Sequence, residues 1–287
     1  MGALHRLALD DRAPSLAAIF PSCGGTADVA RAWPLAREVL AAQPDLVRTY
    51  LPRPPQTNEV GRSAMLLGGF LEIAAATQLP LRLFELGASA GLNLCWDCYR
   101  IETSAFAWGP ANAPLTLTCD WEGPLPRRPA TQASVLSRAG CDHNPADLRD
   151  PNDLRRLESY LWADQPERIV RMRKAAEIAI REGIHLDRED ADIWLPRQLA
   201  DPHRGATTVI YHSLFWPYLP APTQDRLRTA IEIAGARSRP QRPVAWLRME
   251  LPNMRTLPEL TLTLWPSGET RVLATVHFHG QFVKWRG

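Results

Sequence analysis

Apolar and polar positions change their period part-way along the chain, and the change divides it into a helical first part and a strand-rich remainder. No convincing strand period occurs in the first eighty residues. Over residues 26–42 apolar side chains recur at helical spacing (Val29, Trp33, Ala36, Val39, Leu40), with Thr26 or Asp28 available as a cap and Pro34 expected to kink or split the run. A proline-rich turn at 52–55 leads to Thr57 and Asn58, either of which can cap a helix from about Glu59 to about Thr77. At Leu81 the pattern shifts: Leu81–Leu86 reads as a short strand, 87–91 as a small-residue turn, and Leu92 onward as a helix. Further strands are expected at 99–107, 115–119, 184–187, 207–212, 244–249, 260–264 and 272–278, the last two joined by the hairpin signal Pro266-Ser-Gly268. Helices are expected at 154–162, 166–182, near Trp194 and at 223–234. Strands alternating with helices predict an α/β domain over residues 81–287: a mostly parallel sheet covered on both faces, with an antiparallel C-terminal hairpin at its edge. A helical N-terminal cap region, residues 1–80, precedes it.

Composition adds boundaries to that picture. Hydrophobic residues at 45% and charged residues at 22% belong to a globular chain rather than a disordered one. With 33 basic against 31 acidic residues, nothing in the charge favours a nucleic-acid backbone as partner. No apolar run approaches the ~20 residues of a membrane helix. The first twenty residues mix Asp10, Asp11, His5, Arg6 and Arg12 among apolar side chains, unlike a signal peptide. Five cysteines, an odd number in a chain this long, point to a reducing compartment, and a cytoplasmic location is expected.

The segment Glu85-Leu-Gly87-Ala88-Ser89-Ala-Gly91-Leu-Asn93 carries the chemistry. In one reading it is the glycine-rich turn after the first strand of a nucleotide-binding sheet. Small residues let a ligand approach the backbone, the following helix offers free N–H groups, and Glu85 stands at the rim of the crevice. In the other, Gly87-x-Ser89-x-Gly91 is the nucleophile elbow of a serine hydrolase, with Asp190 or Asp192 and His277 or His279 as triad partners. Position favours the first, because an elbow follows several strands and everything before Leu81 looks helical. A tight turn that binds nothing is the plain alternative.

Four segments resemble an uncharacterised bacterial family, domain-of-unknown-function family 2332: Pro55-Gln-Thr-Asn-Glu-Val-Gly-Arg62, Leu83-Phe-Glu-Leu-Gly-Ala-Ser-Ala-Gly-Leu-Asn93, Trp162-Ala-Asp-Gln-Pro-Glu-Arg168 and His212-Ser213. The resemblance runs over roughly residues 17–285. That family is similar in fold to S-adenosylmethionine-dependent methyltransferases, which implies a Rossmann-like sheet, S-adenosylmethionine as cofactor and a small-molecule acceptor. On the methyltransferase pattern Glu85 matches the acid that opens the glycine-rich motif, and Gly87 and Gly91 match its outer glycines. Ser89 stands where the middle glycine usually lies; Ala88 and Asn93 complete the cofactor turn. Asp142 resembles the acid after the second strand that holds the ribose hydroxyls, which makes residues 96–131 an insertion. Asp190 and Ala191 resemble the partners of the adenine amino group. His212 and Ser213 end a strand where catalytic or substrate residues usually sit in this fold, His212 as the candidate base and Ser213 as a substrate contact.

Other residues have competing readings. Asn58, Glu59 and Arg62 either line the substrate side of the crevice or form a helix start in which Glu59 and Arg62 pair. Cys95-Trp-Asp-Cys98 has redox or metal spacing, but a structural zinc site needs a second pair, and two half-buried helix cysteines are the simpler expectation. His277 and His279 would share one face of a strand, as metal ligands or on a solvated edge. The resulting expectation is a methyltransferase-like protein without a resident metal, with a serine hydrolase or a non-catalytic binding module as alternatives.

Overall fold

The computed structural model describes residues 1–51, 56–127, 133–253 and 255–287. The turn expected at 52–55 and the end of the expected insertion at Thr131 therefore lie outside the described residues. In chain order the α-helices are α1 (Gly2–Leu9), α2 (Pro14–Ala17), α3 (Val29–Ala42), α4 (Pro44–Tyr50), α5 (Arg62–Thr77), α6 (Pro151–Ser159), α7 (Pro166–Arg181), α8 (Ala191–Leu199) and α9 (Ala221–Ala236). The strands are β1 (Leu81–Leu86), β2 (Arg100–Thr103), β3 (Ala107–Trp108), β4 (Thr116–Glu122), β5 (Val135–Asp142), β6 (Asp187–Arg188), β7 (Thr207–Ser213), β8 (Val244–Glu250), β9 (Glu259–Trp265), β10 (Glu269–Val276) and β11 (Phe282–Trp285). Among the described residues no helix is long and apolar enough to cross a membrane.

The chain forms two compact units. The first combines residues 1–58 with 146–180 and is helical. Its core gathers Leu4, Leu7, Leu16, Ile19, Phe20, Val39 and Ala163. Asp28 caps α3 by accepting the Arg31 N–H at 3.1 Å, and the helix runs on through Pro34, which lies just past its first turn. The buried Glu158 is held by Arg155 at 2.9 Å and Arg173 at 2.6 Å, which offsets the cost of burying its charge.

The second unit, residues 59–145 and 181–287, carries one sheet in the order β3-β2-β4-β11-β10-β9-β8-β7-β1-β5-β6. Pairing is parallel from β8 through β7, β1 and β5 to β6, and antiparallel along β8-β9-β10-β11. It is a mixed α/β fold with a mostly parallel sheet and an antiparallel C-terminal hairpin. The hairpin is interior rather than an edge. β11 pairs antiparallel with β10 and parallel with β4, and β2 and β3 extend the sheet beyond them. Residues 100–122, read as part of an insertion, thus supply the far edge.

Four local expectations change. First, α5 opens at Arg62 with Gly61 as N-cap and no side-chain cap, so neither Thr57 nor Asn58 caps it. Its first donors are met instead by a tight turn, Arg62 N–H to Glu59 C=O and Ser63 N–H to Val60 C=O. Second, Leu92 onward is a seven-residue 3-10 helix, Leu92–Cys98, that leaves helical geometry at Cys95. Third, the strand expected at 184–187 is the two-residue β6, which meets only Cys141 and Asp142 of β5. Fourth, His277 and His279 follow the end of β10 and share no strand face; His277 Nδ1 accepts the His279 N–H at 3.2 Å.

Candidate functional site

Five neighbouring parallel strands, β6-β5-β1-β7-β8, bring their carboxyl ends to one edge of the sheet. The chain passes from β1 toward β5 and β6 on one side, and from β7 to β8 on the other. The loops after β1 and β7 diverge at that switch of direction, which is where open α/β sheets form a ligand crevice.

Glu85 and Tyr211 are cross-strand partners at this edge. The Tyr211 hydroxyl donates to Glu85 Oε2 at 3.3 Å and also lies 3.4 Å from the Asn93 carbonyl. Glu85 is 3% exposed, and burial pushes its pKa up to about 8 against the opposing pull of Tyr211 and Arg62. Burial therefore favours the protonated carboxyl at neutral pH. Asn93 is fixed from its other end, its side-chain oxygen accepting the Ser63 hydroxyl at 2.7 Å.

The turn itself is tightly bound to its own scaffold. Gly87 has φ +65°, and a Cβ added there would lie 2.2 Å from the Phe215 ring. Only glycine suits both the left-handed backbone and that ring. Ser89 is also left-handed at φ +57°, and its N–H donates to Asp142 Oδ2 at 2.9 Å. Asp142 Oδ1 accepts the Asn144 N–H at 2.8 Å, so the acid that ends β5 holds the backbone of two loops. The Ala88 N–H donates to the Cys141 carbonyl at 3.0 Å, while the Ser89 hydroxyl is buried without a hydrogen-bond partner among the described residues. Asp190, just before Ala191 opens α8, is solvent-exposed and meets His143 Nδ1 at 2.9 Å.

His212 is 1% exposed, and both ring nitrogens are engaged. Nε2 faces the Trp246 indole N–H at 3.1 Å. That group can only donate, so Nε2 is the acceptor and Nδ1 carries the proton it gives to Glu250 Oε1 at 2.6 Å. The same carboxylate oxygen accepts the Phe215 N–H at 2.9 Å and the Trp216 N–H at 3.3 Å. The Trp216 ring stacks on His212 with centroids 5.1 Å apart. His212 thus braces the loop after β7 and has no ring nitrogen left for a substrate.

Arg62, at the start of α5, donates from Nη1 to the Ser213 carbonyl at 3.1 Å and from Nε to the Phe278 carbonyl at 3.3 Å. Burial lowers its pKa from the usual value, while Glu59 and Glu250 favour its charge. Glu59 is buried; its Oε1 accepts the Gly61 N–H at 3.0 Å, and Oε2 stands 3.6 Å from His279 Nδ1. Glu59, Arg62, Glu85, Asn93, Ser213 and Glu250 all belong to the second unit and border this carboxyl edge. Asn58 is buried and belongs to the first unit. Sequence reasoning missed Glu250, Trp246 and Phe215. A usable signal for Glu250 was present, since it is the last residue of a parallel strand on the edge that carries function. Among the described residues no three His, Cys, Asp or Glu side chains converge as a metal site.

The family model described as an uncharacterized protein conserved in bacteria (DUF2332) matches residues 1–285. No curated protein and no solved structure matches the chain. A family match of that length, on top of the resemblance carried by Leu83–Asn93, identifies the chain as a member of the DUF2332 family.

Proposed function

We propose that this protein is a methyltransferase-type enzyme that binds S-adenosylmethionine at the carboxyl edge of its sheet and acts on a small molecule. The observation that carries the reading is the order β6-β5-β1-β7-β8 combined with the acids along it. Glu85 is near the end of β1, Asp142 ends β5, and Asp190 follows β6. This is the succession of strands and acidic side chains from which a Rossmann-like sheet grips a nucleoside, with Glu85 as a protonated carboxyl and Asp142 and Asp190 as its neighbours.

The donor set fits the ribose and adenine end of such a cofactor. Asp142 lies beside the turn and Asp190 opens to solvent at the start of α8. The turn fits less closely than a three-glycine motif, because Phe215 fills the side that Gly87 leaves open. The cofactor, when bound, supplies an electrophilic methyl group. The chain's own part is positioning. Arg62 holds a cation beside Ser213, suited to orienting an anionic acceptor, and the His212–Glu250 pair fixes the loop of Phe215 and Trp216.

A serine hydrolase has one feature in its favour, the left-handed Ser89 with a buried hydroxyl. Against it, that hydroxyl has no imidazole partner among the described residues. The expected triad members are engaged elsewhere, Asp190 with His143, Asp192 with Arg226, His279 with Glu59, and His277 through Nδ1 with the His279 N–H. A binding module without chemistry would share the same crevice.

Isothermal titration with S-adenosylmethionine and S-adenosylhomocysteine separates these readings. Micromolar affinity that weakens at least about tenfold in Asp190→Ala is expected, the loss of a charge-assisted hydrogen bond. Absence of heat and of any thermal shift with both ligands removes the methyltransferase reading, and labelling of Ser89 by a fluorophosphonate would replace it. Gly87 makes a poor probe, since any side chain there collides with Phe215 whether or not a ligand binds.

A further inference from the structure

The 3-10 helix Leu92–Cys98 carries Cys95 and Cys98, both free thiols. In a 3-10 helix residues i and i+3 eclipse one another, three rises of about 2 Å, or about 6 Å between Cα atoms. Disulfides form over a Cα span of about 4.4–6.8 Å, a range that includes the span of one such turn. The backbone departs from helical geometry at Cys95 itself (φ −98°, ψ 20°). The two thiols are close enough to share a hydrogen bond, which raises the Cys95 pKa and lowers that of Cys98. Cys95 is fully buried and Cys98 half-buried, so a reagent from solvent meets Cys98 first. Beside them Arg138 is anchored to Asp97 at 2.5 Å and to the Leu94 carbonyl at 2.7 Å. Its positive charge favours a thiolate here, but the Asp97 carboxylate, 4.0 Å from the Cys98 sulfur, opposes it more strongly at Cys98. The hydrogen bond with Cys95, and not the local charge, is what lowers the Cys98 pKa.

We infer that Cys95 and Cys98 form a reversible dithiol–disulfide pair, Cys98 attacking and Cys95 resolving, that is oxidised by low-molecular-weight disulfides. The Cys98 thiolate attacks one sulfur of a disulfide RSSR, forming a Cys98–SR bond and releasing RS⁻. Cys95 then gives up its proton to that thiolate and attacks the Cys98 sulfur. The Cys95–Cys98 bond forms, and the second RS⁻ leaves and is protonated from solvent. The protein loses two electrons and two protons, and RSSR takes them up as two RSH. The pair is built into the crevice, because the same short helix carries Asn93, which holds Ser63 and meets Tyr211. The inference is independent of which ligand the crevice takes.

The test is a redox titration of the full chain in glutathione buffers of graded ratio. Samples are quenched in acid, alkylated and mapped by mass spectrometry, with circular dichroism confirming that each is folded. Cys95 and Cys98 are expected to lose their free thiols together as an internal disulfide, while the buried Cys119 and Cys141 stay reduced. In reduced protein iodoacetamide should label Cys98 at least about tenfold faster than Cys95. Cys95→Ser should accumulate the glutathione adduct on Cys98, and Cys98→Ser should leave Cys95 reduced. Wild-type protein that stops at the glutathione adduct, or keeps both thiols while folded at the oxidising end, overturns the inference. That outcome needs no variant to fold.

Discussion

Glu85 keeps its proton at neutral pH because burial outweighs the favourable pull of Tyr211 and Arg62. Its carboxyl titrates near 4.5 in the unfolded chain and at about 8 in the fold. Between those values the unfolded state has released a proton that the folded state still holds. Stability must therefore fall as pH rises across that window and level off outside it. Glu85→Gln removes the slope. The variant should match wild type below pH 4.5 and exceed it above pH 8 by a few kcal/mol, because each tenfold difference in proton affinity between the two states is worth about 1.4 kcal/mol. Urea unfolding at pH 5 and pH 8.5 measures this, and parallel profiles for the two proteins would refute it. At this scale the sequence disclosed the turn well: Glu85, Gly87, Ser89 and Asp142 stand close to one another. It disclosed His212 as a polar group at a strand end, but not its occupation. That depends on Trp246 and Glu250, whose register against β7 no local pattern encodes.

The elements most legible in the sequence were those with a long apolar period or clean breakers, such as α3, α7, α9 and β1. The strand β5 was not legible, because its faces do not alternate cleanly and part of it is exposed. Pairing with β1 along its length makes it a strand, and that pairing is long-range. Helix α5 has the opposite character, apolar nearly all round and buried for most of its length, as befits a helix packed on several sides. Its two adjacent glycines are contact points. A Cβ on Gly68 would lie 2.3 Å from the Trp285 ring, and one on Gly69 would lie 2.4 Å from Leu247. In an exposed helix Gly→Ala gains roughly 1 kcal/mol. Here overpacking costs about 1–3 kcal/mol and reverses the sign. Gly68→Ala and Gly69→Ala should each lower the thermal midpoint, with Gly183→Ser excluded as a control because its positive φ is strained by any side chain. A raised midpoint in either variant would mean that the Trp285 ring and Leu247 yield to a methyl group at little cost.

Across the whole molecule, the strand order is the property the sequence concealed most completely. An amphipathic segment declares that one face will be covered, not which element covers it. Nothing local shows that residues 100–122 leave the glycine turn for the opposite margin of the sheet. That excursion has a consequence for synthesis. β4 emerges from the ribosome early and pairs with β2 on one side, but its other side waits for β11. At ordinary elongation rates the intervening chain takes on the order of ten seconds to be made. Throughout that interval a strand with Leu117, Cys119 and Trp121 on one face stays open to any neighbouring nascent chain. Removing residues 281–287 would make the interval permanent. The shortened protein should collect in the insoluble fraction while the full chain stays in solution, a difference that centrifugation of the two lysates would show.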